Sequence, residues 1–153
     1  METESKKKRV LAISSRGGHW IELIRLKEAF ADQDVTYVTT VPEYQDMVIG
    51  ANFRVVTEAT RDNKLRLIRM FFQIFWIMLW VRPDAVVTTG AAPGVAAVWL
   101  GRRFGARTLF VDSVAACEEI SLSGKLALPH SDAFLTQWQH LASGRVEFHG
   151  ANV

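Results

Sequence analysis

Short apolar, β-prone runs alternate along this chain with segments of helical periodicity, and no other feature narrows its fold as far. Arg9–Ile13 is the first run, and it ends in a glycine turn. Residues 19–30 then carry Trp20, Leu23, Ile24 and Leu26 at helical spacing, with Glu22, Arg25 and Glu28 towards water. Further strands are expected at 35–39, 53–56, 85–89 and 108–111, with two short ones at Ala133–Thr136 and Val146–Phe148. Between them lie a short helix at 44–49, a long one at Lys64–Val81 stopped by Pro83, and one from Pro93 to about residue 104. Pro93 suits a first helical position and Gly105 a helix stop. A loop over 112–123 leads to a last short helix ended by Pro129. This alternation predicts an α/β fold: a single Rossmann-like domain with a mainly parallel sheet and helices on both faces. The chain has 153 residues, which suits one such domain, and shows no repeat or linker. Residues 1–7 read as a flexible tail and 8–153 as the folded domain.

Composition removes several function classes. The net charge is only +2, so no nucleic-acid partner is expected. The single cysteine, Cys117, has no intrachain partner and reads as a small core residue. After the basic residues 6–9 the apolar run is too short for a secretion signal, so a cytoplasmic setting is expected. His19, His130, His140 and His149 lack a zinc-like spacing, and neither a metal nor a resident cofactor is expected.

Two glycine turns carry the chemistry. One holds Ser14, Ser15, Arg16, Gly17 and Gly18 after the first strand. The other holds Thr88, Thr89, Gly90, Ala91 and Gly94 after the fourth. In a sheet of order 3-2-1-4-5 these strands are neighbours, and both turns line the crevice beyond their C-terminal ends. Glycines allow close backbone approach, and helix-start N–H groups point at an anion, so the pair suits a phosphate-bearing ligand. The first turn is neither G-x-G-x-x-G nor a Walker loop, and a Gly-Gly pair also serves any tight turn. His19 opens the first helix, where the dipole favours the neutral imidazole, a form that accepts a proton. It either acts as a base or simply fills the turn.

The helix at Lys64–Val81 is too apolar to stand in water on any face. From Met70 to Val81 only Gln73 is polar, and Arg61, Lys64, Arg66, Arg69 and Arg82 surround the stretch. Twelve residues rise about 18 Å, short of a bilayer core of about 30 Å. Arg66, Arg69, Phe72, Phe75, Trp76 and Trp80 suit contact with an anionic membrane surface. The other reading is a helix covered by the sheet on one side and a partner subunit on the other.

Taken together, Ser14 to His19, Thr88 to Gly94, Asp112-Ser113 and Ser121 to Leu126 resemble one family. It is the membrane-recruiting subunit of the split UDP-GlcNAc transferase of dolichol-linked oligosaccharide synthesis, with its bacterial exopolysaccharide relatives of the PssD type. The resemblance runs from about residue 8 to 150. It implies the N-terminal, acceptor-side half of a GT-B fold, similar to that half of MurG, with the UDP-sugar bound mainly by a separate donor-binding subunit. Gly17, Gly18 and His19 then match a loop facing the acceptor diphosphate, with His19 as general base. Thr89, Gly90, Ala91 and Gly94 match the second loop, Asp112 joins the acceptor contacts, and Glu118 matches an acidic position that orients the acceptor or serves as an alternative base. Arg16 and Ala116 depart from the pattern. The implied function is one subunit of an inverting glycosyltransferase, inactive without its partner, acting on a polyprenyl-diphosphate-linked acceptor at the cytoplasmic face of a membrane. Eukaryotic members begin with a spanning helix; here anchoring as a peripheral or monotopic protein would fall to residues 65–81. Two other readings stay open: a non-catalytic scaffold that recruits a catalytic chain, and a stand-alone nucleotide-binding domain. The transferred sugar is not identified.

Overall fold

The computed structural model describes residues 6–151, so most of the expected tail lies outside the described residues. Seven strands form one sheet: β1 (Arg9–Ile13), β2 (Asp34–Thr39), β3 (Asn52–Val55), β4 (Ala85–Thr88), β5 (Arg107–Val111), β6 (Ala133–Thr136) and β7 (Val146–Phe148). Their order is β3-β2-β1-β4-β5-β6-β7, which contains the expected 3-2-1-4-5 arrangement. All six neighbouring pairs are parallel. The helices are α1 (Gly18–Arg25), α2 (Lys64–Val81), α3 (Ala91–Arg103) and α4 (Leu122–Ala127).

Period-two alternation in the strands sorts the core into two faces. Leu11 and Ile13 of β1 meet Met70, Ile74 and Met78 of α2 and Ala97 and Leu100 of α3. Val10 and Ala12 face the other way, onto Trp20 and Leu23 of α1 with Phe30 and Tyr37. Towards β6, α3 and α4 close over Phe110 and Phe134, whose rings stack at 5.1 Å.

Three local expectations need correction. The first helix stops at Arg25 and gives way to a 3-10 turn at Lys27–Phe30. Phe30 is buried in either hydrogen-bonding pattern, so residue spacing does not distinguish them. Glu22, expected to face water, is only 4% exposed. Pro93 is the third residue of α3 rather than its first; its missing N–H costs nothing there, because the first-turn donors have no partner within the helix.

The ends of α2 follow from particular residues. Asn63 caps the start by accepting from Arg66 N at 3.1 Å. Arg82 ends the helix in the left-handed conformation, with Pro83 next. Gln73, its one polar residue after Arg69, accepts from Thr57 N at 2.7 Å and so ties α2 to the segment after β3.

Two stability tests arise here. A methyl group at Gly94 would lie 2.2 Å from Thr88 Oγ1, where α3 crosses β4. Gly94→Ala is expected to cost about 1–3 kcal/mol, read as a lowered thermal midpoint; an unchanged midpoint would mean that α3 shifts freely. Asp84 accepts from Arg9 N at 2.9 Å and pairs with its guanidinium at 3.5 Å. The backbone N–H first, and the Arg9 side chain next, hold the carboxyl below its ordinary value. A depressed folded value contributes stability above the ordinary carboxylate range, lost as pH falls through the folded value. Asp84→Asn should therefore narrow the gap to wild type on acidification, in melts run from pH 7 to pH 3; a gap independent of pH would contradict the pairing.

Candidate active site

Parallel pairing of β1 with β4 sends both chains out of the same end of the sheet. The loops that follow meet through a reciprocal pair of hydrogen bonds. Thr89 Oγ1 donates to the His19 carbonyl at 2.5 Å, and His19 Nδ1 lies 3.0 Å from the Thr89 carbonyl. A carbonyl only accepts, so Nδ1 carries a proton, and in the neutral ring Nε2 holds the lone pair.

Gly90 makes this approach possible. A methyl group there would stand 3.3 Å from both Cε1 and Nδ1 of His19, and its φ of 121° is one that side-chain-bearing residues rarely adopt. Ala91 follows with φ 63°, also left-handed, at a cost of about 1 kcal/mol that the surrounding packing must offset. The second bend is thus held in an uncommon shape where it touches His19.

A cavity of about 730 Å³ opens beside the ring. His19 contributes one wall; the third loop contributes Ser113, Ala116, Cys117, Glu118 and Ser121, and α4 adds Lys125. His19 and Glu118 therefore face one space, although 99 positions separate them in the chain. Cys117 is exposed on this wall, which corrects its reading as a core residue: the loop turns it outward, with its carbonyl 2.6 Å from His140 Nε2. A larger cleft of about 1000 Å³ lies at the opposite end of the sheet, beside Arg9, Asp34 and Asn52, the first residues of β1, β2 and β3. It meets neither glycine bend.

The expected ligand contacts divide by exposure. Gly17 and Gly18 are exposed at the start of α1, Arg16 is exposed, and Ser15 and Ala91 are half-buried. Arg16 turns to Glu58, with Nη1 and Oε2 at 3.3 Å. Ser14, Thr89, Gly90, Gly94 and Asp112 are buried. Ser14 Oγ donates to the Ser15 carbonyl, so it shapes the bend from inside. Asp112 is occupied on both carboxylate oxygens by Ser121, from N at 2.9 Å and from Oγ at 2.5 Å. Its role here is to draw together the two ends of the third loop.

On α2, one face is buried and the other is open. Leu65, Ile68, Phe72, Trp76 and Trp80 form an exposed stripe at three- and four-residue spacing, with Trp76 60% and Trp80 86% exposed. Arg66 and Arg69 are exposed beside it. Phe75 lies inside the edge of the stripe, half-buried against Phe104. Among the described residues, no helix is long and apolar enough to cross a membrane.

Two residues beneath the site carry no functional signal in the sequence: Glu22, expected to face water, and Gln137 are both 4% exposed. A glutamate on an amphipathic helix carries no signal of burial, because its partners come from a loop 92 residues away.

Comparison with known proteins agrees with this fold. Residues 52–151 match the family model described as "Oligosaccharide biosynthesis protein Alg14 like". The UDP-N-acetylglucosamine transferase subunit alg14 of Schizosaccharomyces pombe is 24% identical over 89% of this chain and 78% of its own length. The corresponding subunit of Yarrowia lipolytica is 38% identical over 45% of this chain and 36% of its own. Among solved structures, MurG of Acinetobacter baumannii superposes with a TM-score of 0.75 over 92% of this chain at 11% identity. The calicheamicin glycosyltransferase CalG4 superposes with a TM-score of 0.66 over 96% at 16% identity. The chain spans 45% of that MurG chain and 53% of CalG4, about one Rossmann-like half of a GT-B fold. On the family match over residues 52–151, this chain belongs to the Alg14-like oligosaccharide biosynthesis proteins.

Proposed function

We propose that this chain is the acceptor-binding subunit of a two-chain inverting glycosyltransferase, with the UDP-sugar held mainly by a separate donor-binding subunit. The observation that carries the reading is the His19–Thr89 pair, which joins the two glycine bends at a histidine that also lines the cavity of the third loop. Gly17 N donates to Tyr44 Oη at 3.2 Å, and the N–H of Gly18, exposed at the start of α1, suits an acceptor diphosphate. His19 Nε2 takes the proton of the acceptor hydroxyl as its oxygen bonds to the anomeric carbon. The bond from that carbon to UDP breaks on the opposite side, and UDP leaves with the electron pair. Glu118, across the cavity, orients the acceptor.

The exposed α2 stripe supports a peripheral seat for the subunit on a membrane. Aromatic residues enter the interfacial layer while Arg66 and Arg69 meet anionic headgroups, which suits an acceptor on a polyprenyl carrier at the cytoplasmic face.

The test is reconstitution. The tagged chain is purified from a membrane fraction with whatever chain it retains, and sugar transfer to a polyprenyl-diphosphate-linked acceptor is assayed with and without that chain. Transfer is expected only from the pair. Full activity from this chain alone would defeat the two-chain reading.

A further inference from the structure

Glu22 stands one helical turn after His19, buried beneath the third loop. Its Oε1 accepts from Val114 N at 2.8 Å, from Gln137 Nε2 at 3.2 Å and from Ser113 Oγ at 3.3 Å. Ser113 Oγ accepts in turn from Ala115 N, extending the chain of bonds into the loop. Gln137, just beyond β6, also donates to the Asp112 carbonyl at 3.0 Å. Trp138 Nε1 donates to the Val114 carbonyl at 2.7 Å. The loop's first three residues are thus held from α1 and from the end of β6, while Asp112 binds Ser121 at its far end. Between these anchors, Cys117, Glu118 and Glu119 are exposed.

We propose that Glu22, with Gln137, is a positioning residue that locks the third loop to the His19 helix and so sets the width of the acceptor cavity. This rests on the proposed function for its substrate, but the clamp itself is a property of the chain. A buried carboxylate accepting several hydrogen bonds is worth more than the same bonds at the surface, because each donor is otherwise left unmet. The clamp touches neither the reacting atoms nor the proton, so its loss should loosen acceptor binding more than it slows chemistry.

Three variants test this: Glu22→Ala, Glu22→Gln and Gln137→Met, the last nearly isosteric and approaching the clamp from the sheet side. Amide hydrogen exchange is measured on the free chain, and acceptor KM and kcat on the chain with its partner. Exchange over 113–121 is expected to rise about tenfold in Glu22→Ala and Gln137→Met, with the β1 and β4 amides unchanged. Acceptor KM should rise about tenfold with kcat within about threefold of wild type, and Glu22→Gln, whose amide oxygen still accepts from Val114 N, should stay within about threefold on both. Unchanged exchange over 113–121 would overturn the clamp. Exchange raised equally through the sheet, or equal losses in kcat and KM, would show a general stability role instead and overturn it too. If the wild-type pair transfers no sugar, the proposed function fails while the exchange data still decide the clamp.

Discussion

Replacing His19 by alanine should lower kcat of the assembled transferase by about two to four orders of magnitude, the range for a positioned general base. Acceptor KM should change far less, because the Gly18 N–H and the third loop remain. The expectation rests on tautomer chemistry: with Nδ1 donating to the Thr89 carbonyl, the lone pair of the neutral ring is on Nε2. His19→Asn is a sharper version, since its amide can bond to Thr89 but takes up no proton. Turnover kept by both variants, with the partner still bound, would assign all chemistry to the partner and leave this chain a scaffold. The stand-alone nucleotide-binding reading is tested in the same preparation, because it requires tight binding of free nucleotide by the isolated chain.

The second large effect belongs to α2. Trp76→Glu with Trp80→Glu should abolish sedimentation of the chain with vesicles containing anionic phospholipid. Each indole that leaves the interface forfeits about 2 kcal/mol, so the pair corresponds to roughly a thousandfold loss of partitioning. Arg66→Gln with Arg69→Gln should instead weaken binding by about 1 kcal/mol each and remove much of its salt dependence. Both substitutions lie on the exposed side of the helix, away from Met70, Ile74 and Met78, so the thermal midpoint should hold. A wild-type chain that ignores such vesicles would leave the stripe to a protein partner, the other reading that the sequence allows.

The two Trp residues show how far a linear reading reaches. An apolar run over 70–81, broken only by Gln73, predicts that α2 is covered on more than one side, and the structure supplies cover from the sheet and α3, leaving Leu65, Ile68, Phe72, Trp76 and Trp80 open. Phe75, expected at the membrane with Trp76, is half-buried. Which side of the stripe's edge it fell on depended on Phe104, at the end of another helix. Arg16 sits among glycines, where a phosphate contact is expected, and Glu58, far along the chain, pairs with its guanidinium.

Strand and helix alternation, the glycine bends after β1 and β4, and the helix stops at Pro83 and Gly105 were all legible in the sequence. Each depends on backbone preference or on side-chain period within a few residues, and that information is local. The convergence of the bends followed one step further, from the handedness and order that parallel βαβ units obey. What only the tertiary structure decided is which polar atoms meet. The proton on His19 Nδ1 is set by a carbonyl 70 positions away, the burial of Glu22 by a loop and a strand end, and the confinement of Asp112 by the serine that caps α4. Hydrogen bonds act over about 3 Å, and a chain read in one dimension does not contain those distances.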